Sequence, residues 1–211
     1  MMNKAVLTGC AALLCAGAAF GGMLSQDPGE LTVAGQCWIP GDGDFDLFDG
    51  GYGASLSYRE WFSFPWGASV NLGLAQWQVN DGSDALKYEA LSAYDGDVLL
   101  VPFGASLCFN MIDWDNWNLI LDTGVQYLFV DSSASVFSAD DNRRHDVDIG
   151  GAVLWNIGAE FEYMVAENIY LLGGVGYQVD IAKADTEYDE YTARDTSFRG
   201  ASFRLGAKYL F

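Results

Sequence analysis

The sequence predicts an all-β chain, an eight-stranded antiparallel up-and-down transmembrane β-barrel over residues 31–211. Three observations predict it. Apolar residues recur at every second position through long stretches, the period of a strand rather than a helix. The connections between those stretches alternate between short and long. Aromatic residues gather at the short-connection end of the strands.

Residues 1–21 read as a secretory signal peptide. Lys4 gives a positive start, Ala5–Phe20 is an apolar run, and Ala19-Phe20-Gly21 matches the small-x-small pattern for cleavage before Gly22. Residues 22–30 form a short N-terminal segment. Leu7-Thr8-Gly9-Cys10 resembles a lipidation site, but only six residues precede it, too few for a hydrophobic region. Beyond the leader no stretch reaches about 18 uninterrupted apolar residues, so no membrane-spanning helix is expected.

The strands follow in order. The first three are read at 31–39, 51–62 and 67–79, the third with a change of phase near Leu74–Trp77 that a β-bulge would explain. The fourth, 97–110, alternates Leu99, Val101, Phe103, Ala105, Leu107 and Phe109 with Leu100, Pro102, Gly104, Ser106 and Cys108. Pro102 has no N–H and requires an unpaired or bulged position. The fifth, 119–130, sets Leu119, Leu121, Val125, Tyr127 and Phe129 against Asp122, Gly124 and Gln126. The sixth, 147–165, holds ten successive apolar or glycine positions of one parity, from Val147 to Val165. The seventh, 168–181, sets Ile169, Leu171, Val175, Tyr177, Val179 and Ile181 against Tyr170, Gln178 and Asp180. The eighth ends the chain: Phe203, Leu205, Ala207, Tyr209 and Phe211 face one way, and Ser202, Arg204, Gly206 and Lys208 the other.

Short connections are expected at Ser63–Trp66, Met111–Trp117 and Ala166–Glu167, and long polar ones at 40–50, 80–96, 131–145 and 182–196. That alternation is the layout of an outer-membrane barrel. In such a barrel the apolar parity faces lipid, and polar and small residues fill the narrow interior. The second parity here carries Gln, Asn, Asp, Glu, Arg, Lys and many Gly. A soluble barrel around an apolar ligand would need an apolar interior instead. Trp61, Trp66, Trp114, Trp117 and Tyr163 at the short-turn end read as an interfacial aromatic girdle.

The pattern Phe203-x-Leu205-x-Ala207-x-Tyr209-x-Phe211, ending the chain on Phe, resembles the signature by which the barrel assembly machinery recognises its clients. With the leader and the eight-strand layout, residues 31–211 resemble the small OmpA/OmpX-type outer-membrane barrels. The resemblance rests on pattern. It implies the topology, a place in the outer membrane and the assembly machinery as a partner, and it implies no catalytic residues.

Strand direction sets heights inside such a barrel. Arg59, Asp122, Glu160, Glu162, Arg204 and Lys208 should meet in the periplasmic half of the lumen as a paired, neutral plug, because buried charges persist only when paired. Exchange of partners within the cluster would instead make it a gate for ions or small solutes. Cys37 and Cys108, left after the leader is removed, lie at opposite ends of non-adjacent strands and should be free thiols.

The formal charge of −19 comes from 29 acidic residues against 10 basic ones. This charge repels nucleic acid and sets that partner class aside. Twenty of the acidic residues lie at 42–49, 81–97, 131–148 and 180–195, so the long-loop end is an anionic rim. Beside anionic lipopolysaccharide such a rim needs divalent cations. Asp42, Asp44 and Asp46 are weak candidates for a calcium loop, since Leu47 replaces the glycine and Gly53 the terminal glutamate of an EF-hand. His145, with Asp146, Asp148, Ser132, Ser133 and Ser135 nearby, allows a lipid A-modifying barrel enzyme as an alternative. The preferred reading is non-enzymatic and without a cofactor: an integral outer-membrane protein with a structural or surface-interaction role.

Overall fold

The computed structural model describes residues 29–41, 48–79, 91–95, 97–133, 135–138, 143–188 and 191–211. Eight strands close into a barrel: β1 (Glu30–Pro40), β2 (Phe48–Ser63), β3 (Trp66–Val79), β5 (Asp97–Trp114), β6 (Trp117–Ser132), β9 (Ala152–Ala166), β10 (Ile169–Ala182) and β13 (Gly200–Leu210). Each pairs antiparallel with its sequence neighbour in the ring, and β1 closes on β13 from Glu30↔Leu210 to Pro40↔Gly200. Closure pairs every barrel strand on both edges, which removes the unpaired backbone that a membrane would penalise.

The remaining strands extend the wall at the long-connection end. They are β4 (Leu91–Asp95), β7 (Ser135–Ser138), β8 (Arg143–Ile149), β11 (Ala184–Tyr188) and β12 (Tyr191–Thr196). Together they form a five-stranded sheet in the order β12-β11-β8-β7-β4. The described parts of segments 80–96, 131–145 and 182–196, expected as polar loops, therefore contain strands: β7–β8 and β11–β12 are hairpins, and β4 pairs with β7. The predicted continuous strand 147–165 is interrupted at Gly150–Gly151, between β8 and β9.

At the other end two-residue turns join the hairpins, at Phe64–Pro65, Asp115–Asn116 and Glu167–Asn168. The expected connection Met111–Trp117 is thus mostly strand, paired as far as Trp114↔Trp117. Asn168 takes φ = 65°, the left-handed region that Asn tolerates better than most residues. Its carbonyl accepts from the Leu210 N–H, which ties this turn to the last strand.

No bulge occurs at Leu74–Trp77. The β2–β3 register runs unbroken from Gly50↔Gln78 to Trp61↔Gly67. The apolar pattern changes phase there because Ala75 and Trp77 point inward, 2% and 1% exposed, while Leu74 stays outside at 44%. Gly51 makes room for this: a Cβ on it would lie 2.1 Å from the Trp77 indole. Pro102 pairs with Leu128 of β6, while on the β3 side the ladder is missing between Leu72↔Phe103 and Ala75↔Leu100.

The outer surface is apolar around the ring. Val33, Leu107, Val125, Ile157, Leu171, Val175 and Leu205 are all exposed, Leu205 most of all at 75%. Phe203, Ala207, Tyr209 and Phe211 face outward with Leu205. Charged groups are inside: Glu30, Arg59, Asp122, Glu160, Glu162 and Lys208 are buried. A water-soluble fold reverses this arrangement. A membrane barrel requires it.

Candidate functional site: a lumen closed at two levels

In the half of the barrel near the two-residue turns, four strands deliver charge to one place. β2 contributes Arg59, β6 Asp122, β9 both Glu160 and Glu162, and β13 both Arg204 and Lys208. Residues 160/162 and 204/208 share the inward parity of their strands, so each pair stacks on one side of the lumen. The six residues predicted from sequence are brought together here. The structure adds Glu30, the first residue of β1, which the sequence reading places in the short N-terminal segment.

Arg59 is the hub. Its Nη1 lies 3.1 Å from Glu30 Oε2 and 2.8 Å from Glu162 Oε1, and its Nη2 lies 2.6 Å from Glu160 Oε1. Lys208 Nζ reaches Glu162 Oε2 at 2.5 Å and Glu30 Oε1 at 3.2 Å, and sits 4.5 Å from the centroid of the Tyr170 ring. Arg204 bridges Asp122 Oδ2 at 2.7 Å and Glu160 Oε2 at 3.1 Å. A Cβ on Gly174 would lie 2.6 Å from the Arg204 Nε, so glycine is what lets this side chain lie flat on the wall. Trp61 Nε1 donates to Glu30 Oε1 at 2.8 Å. Each carboxylate oxygen on Glu30, Glu160 and Glu162 has a partner, as desolvated charge demands. The cluster holds four acids against three bases, which corrects the expectation of a neutral plug.

The opposite half of the lumen is apolar, which corrects the expectation of a polar interior throughout. Trp38, Ala75, Trp77, Val98, Leu100, Leu128, Ile149, Ala152, Leu154, Ala184 and Phe198 form one buried cluster. Phe198 belongs to the link Ser197–Arg199 before β13, yet it is wholly buried and meets Trp77 edge-on at 5.6 Å between ring centroids. Its backbone is held in place. The Phe198 carbonyl accepts from Gln178 Nε2 at 2.6 Å, and its N–H donates to Asp180 Oδ1 at 2.9 Å. The Ser197 hydroxyl also donates to Asp180.

Between the two levels lies a chamber of about 80 Å³, lined by Thr32, Gln36, Ser55, Ser57, Asn71, Gln126, Asn156, Gln178 and Ser202, with Asp122, Glu160 and Arg204 among its walls. By volume it holds several water-sized groups.

Trp61 shares the inward parity of Arg59 and belongs to the cluster, 5.7 Å from the Arg59 guanidinium, which corrects its place in the outer aromatic girdle. The other predicted residues lie apart from this site: Trp66, Trp114 and Tyr163 are exposed at the short-turn end, and Trp117 is half-buried there. Trp114 and Trp117 pack edge-on at 4.5 Å. Cys37 is exposed on β1, Cys108 is buried on β5, and both are free. His145 lies on β8, paired with Val136, but its side chain is outside the described residues, as are Asp42, Asp44 and Asp46. Among the described residues no group of three or more His, Cys, Asp or Glu is placed to hold a metal ion.

No family model matches the sequence, and no curated protein matches it. Solved structures do match the fold. The outer membrane protein OprG from Pseudomonas aeruginosa superposes with a TM-score of 0.63 at 15% identity, over 89% of this chain and 98% of that one. A major outer membrane protein from Thermus thermophilus gives 0.53 at 17% identity, over 87% and 99%. Neisserial surface protein A gives 0.53 at 14% identity, over 87% and 96%. With its ring of eight antiparallel strands, apolar exterior and charged interior, the chain has the fold of the small outer-membrane β-barrels.

Proposed function

We propose that this chain is an integral outer-membrane protein, exported through a cleaved signal peptide, whose barrel does not conduct. Its role in this reading is structural and surface-interactive, and it is not an enzyme. One observation carries the reading: the lumen is closed twice, by the Arg59-centred ion cluster at one end and by the Trp77–Phe198 core at the other. A solute path would require both to move, and they share no side chain. The narrow-channel reading therefore ranks second.

The five-stranded sheet above the barrel is what such a protein presents outward. The partners proposed for it are outer-membrane lipid and lipopolysaccharide, bridged to the acidic connections by divalent cations. The apolar positions 203, 205, 207, 209 and 211 are proposed as the segment read by the barrel assembly machinery. Reconstitution in planar bilayers tests the sealed lumen. The expected result is a baseline without discrete steps across the physiological voltage range, and a reproducible unitary conductance contradicts it.

A further inference from the structure

The two closures are built differently. Every charge of the ion cluster comes from a barrel strand that is paired on both edges. Phe198 comes from the link Ser197–Arg199, which lies outside the strands. The β11–β12 register reaches Ala184↔Thr196, and the β10–β13 register begins at Gln178↔Gly200. Wall residues 179–183 therefore face link residues 197–199 with no ladder between them. The β9–β10 register also shifts between Asp180 and Ala182, and such irregularities re-aim side chains.

Side chains hold the link where the ladder does not. Asp180 accepts from both the Phe198 N–H and the Ser197 hydroxyl, and Gln178 donates to the Phe198 carbonyl. Gln178 in turn accepts from Gln126 Nε2 at 3.0 Å, which joins the link to the chamber wall. Beside Trp77 lies a void of about 10 Å³, and Trp38, Pro102, Gln126 and Gln178 line both this void and the chamber. The void therefore connects the Trp77–Phe198 contact with the chamber. Withdrawing Phe198 breaks no strand pairing and leaves a gap of phenyl width beside Trp77. Opening the other end separates buried ion pairs, a far costlier step. Exposing the Phe198 ring gives up apolar burial, so the link is seated at rest.

We propose that Ser197–Arg199 is a latched stopper. It swings out of the lumen between Thr196 and Gly200 and opens the chamber toward the long-connection end, and the Asp180 carboxylate is the latch that holds it in. With the stopper out, the barrel is a vestibule open at one end, because the Arg59 cluster stays shut. The inference rests on the reading of a lumen closed at two levels, and it assigns them different roles, one movable and one fixed.

The test is the rate at which a small water-soluble methanethiosulfonate modifies a cysteine in the chamber, with the full mature chain refolded in phospholipid vesicles. Ser55→Cys supplies the reporter in a Cys37→Ser background. The native Cys108, buried opposite Asp122, is the internal control. The rate at position 55 follows the population of the open state. Asp180→Ala should raise it about tenfold, the effect of losing a charge-assisted hydrogen bond, and leave the rate at Cys108 unchanged. Phe198→Ala removes the stopper itself and should raise the rate at position 55 further, and adding Asp180→Ala to it should change nothing more. Phe198→Ala decides the question if Asp180→Ala fails to fold. Rates that rise together at position 55 and at Cys108 mean a general loosening and overturn the proposal. So do rates that stay at the wild-type level in both variants. Neither variant should conduct in planar bilayers. A rise at position 55 accompanied by a unitary conductance supports the stopper and overturns the fixed closure at the other end.

Discussion

Arg59→Met is expected to destabilise the barrel by about 3–5 kcal/mol, the cost of removing one partner from a buried ion cluster. Arg59 touches Glu30, Glu160 and Glu162 within 3.1 Å. Without it only Lys208 and Arg204 remain against four carboxylates in a low-dielectric interior. Urea unfolding in vesicles, followed by heat-modifiable gel mobility, reads the loss directly. The triple variant Arg59→Met, Glu160→Gln, Glu162→Gln should recover most of it, because it removes two of the charges that the cation neutralised. An Arg59→Met barrel within about 1 kcal/mol of wild type would show that the cluster is hydrated and weak, as surface pairs are.

The second large effect concerns the outside. Leu205→Arg places a charge on the most exposed apolar side chain of β13, midway between Gly200 and Leu210. At the middle of a bilayer that costs about 2–4 kcal/mol, falling to about 0–1 near the interface. Tyr209→Arg, at the turn end of the same face, should therefore cost far less. The depth dependence is the signature to read from the same titration. A soluble barrel gives the opposite expectation, since an exposed Leu→Arg change is neutral or favourable in water.

The strands and the ring were legible from period-two patterning because one face of each strand meets lipid and therefore carries a nearly uninterrupted apolar parity. The eighth strand, with Leu205, Ala207 and Tyr209 against Arg204, Gly206 and Lys208, shows this most clearly. The ion cluster was legible too, because charged residues on that inward parity have nowhere to go but the lumen.

The misreadings share a physical origin. Glu30 precedes the first apolar residue of its strand, so periodicity gives no reason to include it, although β1 pairs it with Leu210. Trp77, Leu100, Leu128 and Leu154 lie on the inward parity but are as apolar as the outward face, and alternation cannot show which side such residues take. At Trp77 that ambiguity imitates a bulge. Phe198 lies outside any strand, and only three-dimensional closure reveals that the link before β13 turns it inward. The strands above the barrel are hard to read because they are only four to seven residues long and reach the buried core with single residues such as Ile149 and Ala184, too few to set up a two-residue period.

The central claim is that odd-numbered residues of β13 face lipid and even-numbered ones face a closed interior. A nitroxide scan of positions 202–209, one label at a time in a Cys37→Ser, Cys108→Ser background, tests it most directly in lipid vesicles. Collision with oxygen, which concentrates in the bilayer, should peak at 203, 205, 207 and 209 and fall at 202, 204, 206 and 208. A water-soluble nickel chelate should be excluded from both sets. Chelate contact peaking at 203, 205 and 207 would put that face in water and contradict the membrane barrel.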